Sequence, residues 1–264
     1  MSVDTEISKF DQSANSIFHF TDKREYIEGI LLNSKINPRY VIEDMEYLKF
    51  PLFSELAIPM SCFCDIRLHS IVKHVNFYGR FGIGFKKSRM IGQGVQPIHY
   101  LNAESMFTTD LKNELATLLD SEFKIPEINQ DYIFKKIFYI KPLYGSMRDK
   151  KLNKAVNKNF HDENEWRFVP KIIEESGFKP FIAVGGKEPI NNDNYRATLN
   201  KALSMDKSMS LDFNYEDINY LFVSDDIERI KLIDFIFSEL TTSESSKRLL
   251  VSKIQTIDQI GEDF

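Results

Sequence analysis

Residues Leu56–Asp65 read LAIPMSCFCD. The stretch is almost wholly apolar, of strand length, and closed by an acid, which is the pattern of a strand buried on both faces. Pro59 interrupts it. A proline has no N–H to give to a ladder, so this point belongs at a strand start or on an edge. Cys62 and Cys64 are the only cysteines of the 264 residues. Two apart on one strand they share a face and make a poor disulfide, which fits a reducing cytosol.

Upstream, Ser16–Phe20 (SIFHF) reads as a short strand. Asp22 follows as an N-cap, opening a helix whose face is Tyr26, Ile27, Ile30 and Leu31. Residues 41–50 are acidic and amphipathic, a short helix or an irregular excursion. Downstream, residues 66–76 form a short helix, and Phe77–Phe85 (FYGRFGIGF) an aromatic strand with bending glycines. Residues 95–101 add a strand, 110–120 a helix, and 131–143 a strand or a helix–strand junction. Residues 146–162 are rich in Lys and Asn and read as a basic lid or linker. In Asn164–Val169 (NEWRFV) Trp166 and Phe168 point one way, and Glu165 and Arg167 point out. A helix follows around residues 195–203, then two short strands ending at Val223. Asp225 or Asp226 caps a helix over 227–240 whose buried face is Ile230, Ile233, Phe237 and Leu240. There is no internal repeat and no interdomain linker. The reading is a single α+β domain over residues 1–264, with residues 1–15 frayed, built on a mixed or split β-sheet core flanked by helices.

Hydrophobic content of 42% and charged content of 28% exclude disordered, collagenous and coiled-coil classes. No apolar run is long enough for a transmembrane helix, and the polar, acidic N-terminus is no signal peptide; no membrane is expected, and the location is cytoplasmic. The net charge of −5 conceals blocks. Residues 66–103 carry six Lys/Arg and no acid, and residues 135–171 carry ten against four. Brought together, these two segments form an electropositive surface for a phosphate-rich ligand; kept apart, each is a solvated face. No P-loop, dinucleotide glycine fingerprint or metal-binding helix motif is present. Cys62 and Cys64 with His69 and His74 lack the spacing of a structural zinc site, so no metal is expected.

Three features stand out. His19 and Thr21 lie two apart on the first strand, on one face, and can hydrogen-bond one ligand. Tyr78 beside Gly79 offers a stacking plate next to exposed backbone. Glu165 is a carboxylate on the outward face of an alternating strand. Each also has a structural reading, as a satisfied histidine, a core tyrosine and a surface charge.

The runs SIFHFTD (16–22), AIPMSCFCDIRL (57–68), FYGRFGIGF (77–85), QPIHYL (96–101), ENEWRFV (163–169) and KIQTIDQIGEDF (253–264) resemble the AbiGi family of bacterial abortive-infection proteins. The resemblance spans roughly residues 16–264 and implies phage defence. The family is usually labelled an antitoxin, which implies a cognate toxin or antitoxin partner. More distantly, His19 with Thr21, then Tyr78, then Glu165 are similar in type and order to His-Tyr-Glu ADP-ribosyltransferases. That resemblance implies an ADP-ribosyltransferase-like fold and NAD as substrate. Glu165 is then the catalytic carboxylate, His19 and Thr21 hold the NAD ribose, and Tyr78 stacks. Glu163 competes with Glu165 for the carboxylate role.

Cleavage of the nicotinamide–ribose bond builds an oxocarbenium-like centre, which a carboxylate stabilises. Arg80, Lys86, Lys87 and Arg89 follow Tyr78, and Lys150, Lys151 and Lys154 precede Glu165. These are the expected contacts to pyrophosphate or to an RNA or DNA acceptor. The alternative expectation is a non-enzymatic antitoxin or regulatory partner of a toxin.

Overall fold

A computed structural model of the chain describes residues 14–117, 127–149, 152–172 and 174–263. The chain runs β1 (Ser16–Thr21), α1 (Arg24–Asn33), β2 (Lys35–Ile36), β3 (Arg39–Asp44), β4 (Glu55–Cys64), α2 (Ile71–Tyr78), β5 (Phe81–Lys86), α3 (Lys87–Gly92), β6 (Gln96–Pro97), β7 (His99–Leu101) and α4 (Met106–Thr117). It continues α5 (Glu127–Phe138), β8 (Ile140–Pro142), β9 (Tyr144–Asp149), β10 (Lys154–Asn159), β11 (Glu165–Phe168), β12 (Ile182–Ala183), α6 (Asp193–Met205), β13 (Leu211–Asp212), β14 (Ile218–Val223), α7 (Asp226–Glu239), α8 (Glu244–Val251), β15 (Ile254–Thr256) and α9 (Ile257–Asp263).

The main sheet has the order β15-β14-β5-β1-β4-β11-β6, with β3 and β12 also on β4. Its pairs are antiparallel except β14 with β15. The α+β class is therefore as read. The apolar stretch that opens the sequence is β4, and it is the spine. Its first half pairs with β3 and β12, and its second half with β1 and β11. Pro59 faces Tyr40 of β3, between the residues that β12 pairs and those that β11 pairs. On one side the ladder is open there, so the missing N–H costs no hydrogen bond.

Strand alternation sorts the core. Ile17, Ile83, Phe85, Leu221 and Val223 pack under α1, α7 and α8 with Ile27, Leu31, Leu232, Ile236 and Leu250. Phe18, Cys64 and Phe222 face the other way, against Ile71 and Val75 of α2 and Ile257 and Ile260 of α9. Leu56, Ile58 and Met60 of β4 meet α4 and α5. The Phe excess serves this packing: the rings of Phe18 and Phe20 lie across Gly84 and Gly82, where a Cβ would stand 2.9 and 2.5 Å from ring carbons. Those glycines seat aromatic rings rather than bend a strand.

Several local expectations are corrected. Residues 39–44 are a strand and only Glu46–Leu48 is helical, a short 3₁₀ turn. Lys23, not Asp22, occupies the N-cap position of α1. The aromatic run 77–85 is not one strand: Tyr78 ends α2, and Gly79 breaks the chain at φ +108° before β5 begins. Residues 146–162 are no linker but the β9–β10 hairpin and a 3₁₀ turn, Phe160–Glu163. On α7 the buried residues are Leu232 and Ile236, while Ile230 and Phe237 are exposed; Ile233 is partly buried and Leu240, at the helix end, is buried as expected. Asp225 is the cap, accepting from the Glu228 N–H at 3.0 Å. Residues 1–13 of the frayed terminus lie outside the described residues; the Asn15 carbonyl accepts from the Lys87 N–H at 3.0 Å. Among the described residues no helix is long and apolar enough to cross a membrane.

Gly79 ties α2 to β1. A Cβ there would sit 2.3 Å from the Thr21 carbonyl oxygen, at a φ that L-residues rarely adopt. Gly79→Ala is therefore expected to lower stability by on the order of 2 kcal/mol. Gly29→Ala, in the middle of α1 with no atom within 4 Å of the added methyl, is expected to raise it by about 0.5–1 kcal/mol. Urea denaturation of the two variants beside the parent checks both signs.

A buried charge network at a fork in the sheet

β1 meets β4 at Phe18 and Cys64 and pairs along its whole length with β5 instead. β3 pairs with the other half of β4. Where β1 leaves β4 a cleft of about 280 Å³ opens, bordered by consecutive residues of all three strands: 18–20, 41–43 and 62–64. Tyr78, His74, Lys141, Met147, Glu163 and Glu165 complete its wall. His19, Tyr78 and Glu165, separated widely in sequence, thus converge on one cavity. Thr21 does not line it. It borders a neighbouring cleft of about 410 Å³, together with His19, Tyr26, Lys35, Arg39 and Asn200.

His19 is common to both clefts. Register puts its side chain on the Phe63 face of the sheet, while Glu165 shares the Cys64 face. The imidazole reaches across the fork, and its Nδ1 lies 2.8 Å from the Cys62 carbonyl oxygen. A carbonyl only accepts, so Nδ1 carries the proton and Nε2 is left as an acceptor. Burial, with help from Arg39, holds the ring below its ordinary pKa, hence neutral at pH 7.

The outward orientation expected for Glu165 and Arg167 is overturned. Arg167 is 0% exposed and Glu165 is buried, whereas Trp166 and Phe168 are only half-buried. Both sheet faces are covered here, and the charged face is the drier. Charge is balanced within it. The Arg167 Nε donates to Glu165 Oε1 at 2.6 Å, its Nη2 to Glu43 Oε2 at 2.8 Å, and its Nη1 to the Phe138 carbonyl at 3.0 Å. Lys141 Nζ donates to Glu165 Oε2 at 3.0 Å and to Glu163 Oε2 at 2.9 Å. Lys158 Nζ and the Tyr78 hydroxyl both donate to Glu163 Oε1, the lysine at 2.5 Å. Three cations thus face three carboxylates.

Burial alone would push both glutamates up. For Glu165 the charges of Arg167 and Lys141 win and hold the carboxyl at about 2. For Glu163 those of Lys141 and Lys158 bring it below the ordinary range. Burial raises the Tyr78 phenol far above its usual value, and Glu163 adds to this. The Tyr78 ring stacks on His74 with centroids 4.4 Å apart. Burial, then Lys158, lowers His74 to about 4. Tyr100 supports the strand end, its hydroxyl accepting from the Glu165 N–H at 2.6 Å. The free thiols of Cys62 and Cys64 line the same wall and are pushed up by burial, so they stay protonated.

Lys141 and Arg167 were not assigned roles from sequence, Glu163 entered only as a competitor for the carboxylate role, and His74 only as a rejected metal ligand. The alternation Glu165-x-Arg167 was the available signal, since opposite charges two apart on a strand lie side by side.

The expected basic surface is dispersed. Lys87 is buried and paired with Asp65 at 2.6 Å, so it reaches no external phosphate. Arg80 pairs with Asp258, and Arg89 with Asp217 at 3.3 Å. Lys86 and Lys154 are exposed, while Lys150 and Lys151 lie outside the described residues.

The chain matches the model of the family described as "Putative abortive phage resistance protein AbiGi, antitoxin" over residues 34–224. It is 37% identical over 249 residues to the abortive phage resistance protein AbiGi of Lactococcus lactis subsp. cremoris, an alignment covering 86% of this chain and 98% of that protein. No solved structure matches.

The network predicts acid sensitivity in two windows. His74 takes up its proton near pH 4 when folded and near 6.5 when unfolded, so stability falls as pH drops from 6.5 through 4. Glu165 adds stability that is complete above 4.5 and lost as pH falls from there through about 2. Urea midpoints measured against pH are expected to show both losses, with His74→Phe flattening the upper one. Arg167→Met, which leaves two carboxylates facing an apolar side chain, is expected to cost about 3–5 kcal/mol at pH 7. A loss below 1 kcal/mol would show that the network does not hold the fork. From its family match and its long alignment with a phage resistance protein, the chain belongs to the AbiGi family of abortive phage resistance proteins.

Proposed function

We propose that this protein acts in the bacterial cytosol as the toxic arm of phage defence, an ADP-ribosyltransferase-like enzyme that moves ADP-ribose from NAD to a macromolecule. The observation that carries the reading is the convergence of His19, Tyr78 and Glu165 on one cleft. The cleft suits a nicotinamide–ribose. Its walls are aromatic at Phe18, Phe20, His74 and Tyr78, and its polar end is two glutamates kept ionised at neutral pH. The neighbouring cleft adds Thr21, Arg39 and Lys35, a hydroxyl and two cations suited to the rest of a dinucleotide.

The chemistry follows from those groups. The bond between ribose C1′ and the nicotinamide nitrogen breaks, and its electron pair leaves with nicotinamide. Positive charge grows on the sugar, where the Glu165 carboxylate opposes it. Arg167 and Lys141 act as positioning residues that keep this carboxylate charged and fixed. His19 Nε2 accepts from a sugar hydroxyl. The acceptor's nucleophilic oxygen or nitrogen then bonds to C1′ and releases its proton to water.

The test is incubation of the full chain with NAD labelled in the adenosine half and total bacterial RNA, DNA and protein. Wild type is expected to label an acceptor, and Glu165→Gln to label at least about a hundredfold more slowly. Tyr78→Phe, which keeps the ring, is expected to retain NAD binding by ligand-observed NMR. Wild type that neither labels nor binds NAD would end this reading.

A second reading is favoured by the family description, which ends in the word antitoxin. The chain would then neutralise a cognate toxin, and the buried network would be structural. Expression of the chain alone separates the two, because an enzyme of the first kind arrests growth and an antitoxin does not.

A further inference from the structure

Gly29 lies in the middle of α1 with open space beside it: a Cβ there would meet no atom within 4 Å. A glycine inside a helix weakens it relative to alanine. Close packing is the usual reason to keep one, and no neighbour here requires it. The space belongs to the cleft of about 410 Å³ between α1, the β2–β3 turn and α6. That volume is within the range of small-ligand sites, about 300–1,000 Å³. Tyr26, three residues before Gly29, shares its helix face and lines the same cleft.

The charge of this cleft is one-sided. Lys35 of β2, Arg39 of β3 and Lys201 of α6 reach it from three elements, and Glu25 is the single acid among the described residues lining it. Glu25 is balanced by Arg24 Nη2 at 3.8 Å. Lys35 meets Asp212 at 3.3 Å, a carboxylate 64% exposed, so the pair is weak and the ammonium can exchange partners. The Arg39 guanidinium lies over the Tyr26 ring, 5.4 Å from its centroid, and the two form a platform beside the bare helix face. Asn200 is fixed because its Oδ1 accepts from the Tyr40 N–H at 2.8 Å, which leaves its NH2 to donate. A slot lined by helix backbone beside a stacking ring suits a flat base, and a set of cations suits a diphosphate. His19 borders both this cleft and the fork, so one ligand can run through the two.

We propose that the cleft between α1 and α6 binds a nucleoside diphosphate, the adenosine diphosphate (ADP) half of the dinucleotide, with the base on the helix face at Tyr26 and Gly29 and the phosphates paired to Arg39 and Lys201, joined by Lys35. This rests on the reading above for what continues into the fork. Binding of the diphosphate half involves no transfer step, so the two ideas fail separately.

The experiment titrates the full chain with ADP and with inorganic pyrophosphate by isothermal calorimetry. Wild type is expected to bind ADP more tightly than pyrophosphate. Gly29→Met places a better helix former in the slot, so its melting temperature is expected at or above the parent's while ADP binding is lost. Arg39→Gln and Lys201→Gln, on exposed side chains, are each expected to weaken ADP and pyrophosphate alike by about tenfold. Circular dichroism melting of each variant separates lost binding from lost folding. Wild type that does not bind ADP, pyrophosphate bound as tightly as ADP, or wild-type ADP affinity in Gly29→Met would each overturn the proposal. Labelling from NAD with an unchanged KM in Gly29→Met would overturn it and spare the transferase reading. ADP binding by a chain that labels no acceptor would do the reverse.

Discussion

The guanidinium of Arg167, closed off from water, is the constraint on which the cleft depends. A cation in that position cannot neutralise by losing its proton, so the fold must bring anions to it. It does so from two strands, Glu165 beside it on β11 and Glu43 across on β3. The Phe138 carbonyl takes a third donor at the end of α5. One side chain thus fixes the relative placement of three elements around the point where β1 and β3 part. Lys141 from β8 and Lys158 from the hairpin extend the same logic to Glu163. Replacing such a cluster by apolar residues is often neutral or stabilising, so the cluster fixes the geometry of the cleft more than it adds net stability.

The network also explains why a cavity persists in a chain so rich in phenylalanine. Aromatic rings fill the sheet face at Phe18, Phe20, Tyr220 and Phe222, with centroids about 5.6–6.2 Å apart. Filling the fork in the same way would bury six charged side chains against hydrocarbon. The fork is instead lined by groups that satisfy each other, and His19 spans its two sides. That compromise leaves ionised carboxylates in a dry, partly aromatic cleft, beside a neutral imidazole whose Nε2 is an acceptor.

Much of this was legible in the sequence. The apolar run 56–65 marked β4 because its length and composition allow little else. SIFHF marked β1, and NEWRFV marked β11. His19, Tyr78 and Glu165, picked out by type and order, line one cleft. The orientation of β11 was not legible, since alternation reveals two faces but not which one other elements cover. The same limit misplaced α7, where Ile230, Ile233 and Phe237 form one apolar stripe and Leu232, Ile236 and Leu240 another, and only packing chooses. Tyr78 was placed on a strand because aromatic composition hides the break that Gly79 makes through its backbone alone. The hairpin was missed because its ladder is made of backbone bonds, while its Lys/Asn composition reads as a linker.

The central claim is that the fork between β1, β3 and β4 is a nucleotide cleft held open by buried charge. Amide hydrogen exchange of the full chain, with and without millimolar NAD, tests it most directly. The account predicts slower exchange on NAD addition at residues 18–21, 41–43, 62–64 and 163–165, with the distant α8 unchanged. Unchanged exchange across those four segments at saturating NAD, or protection confined to surfaces away from them, would contradict it.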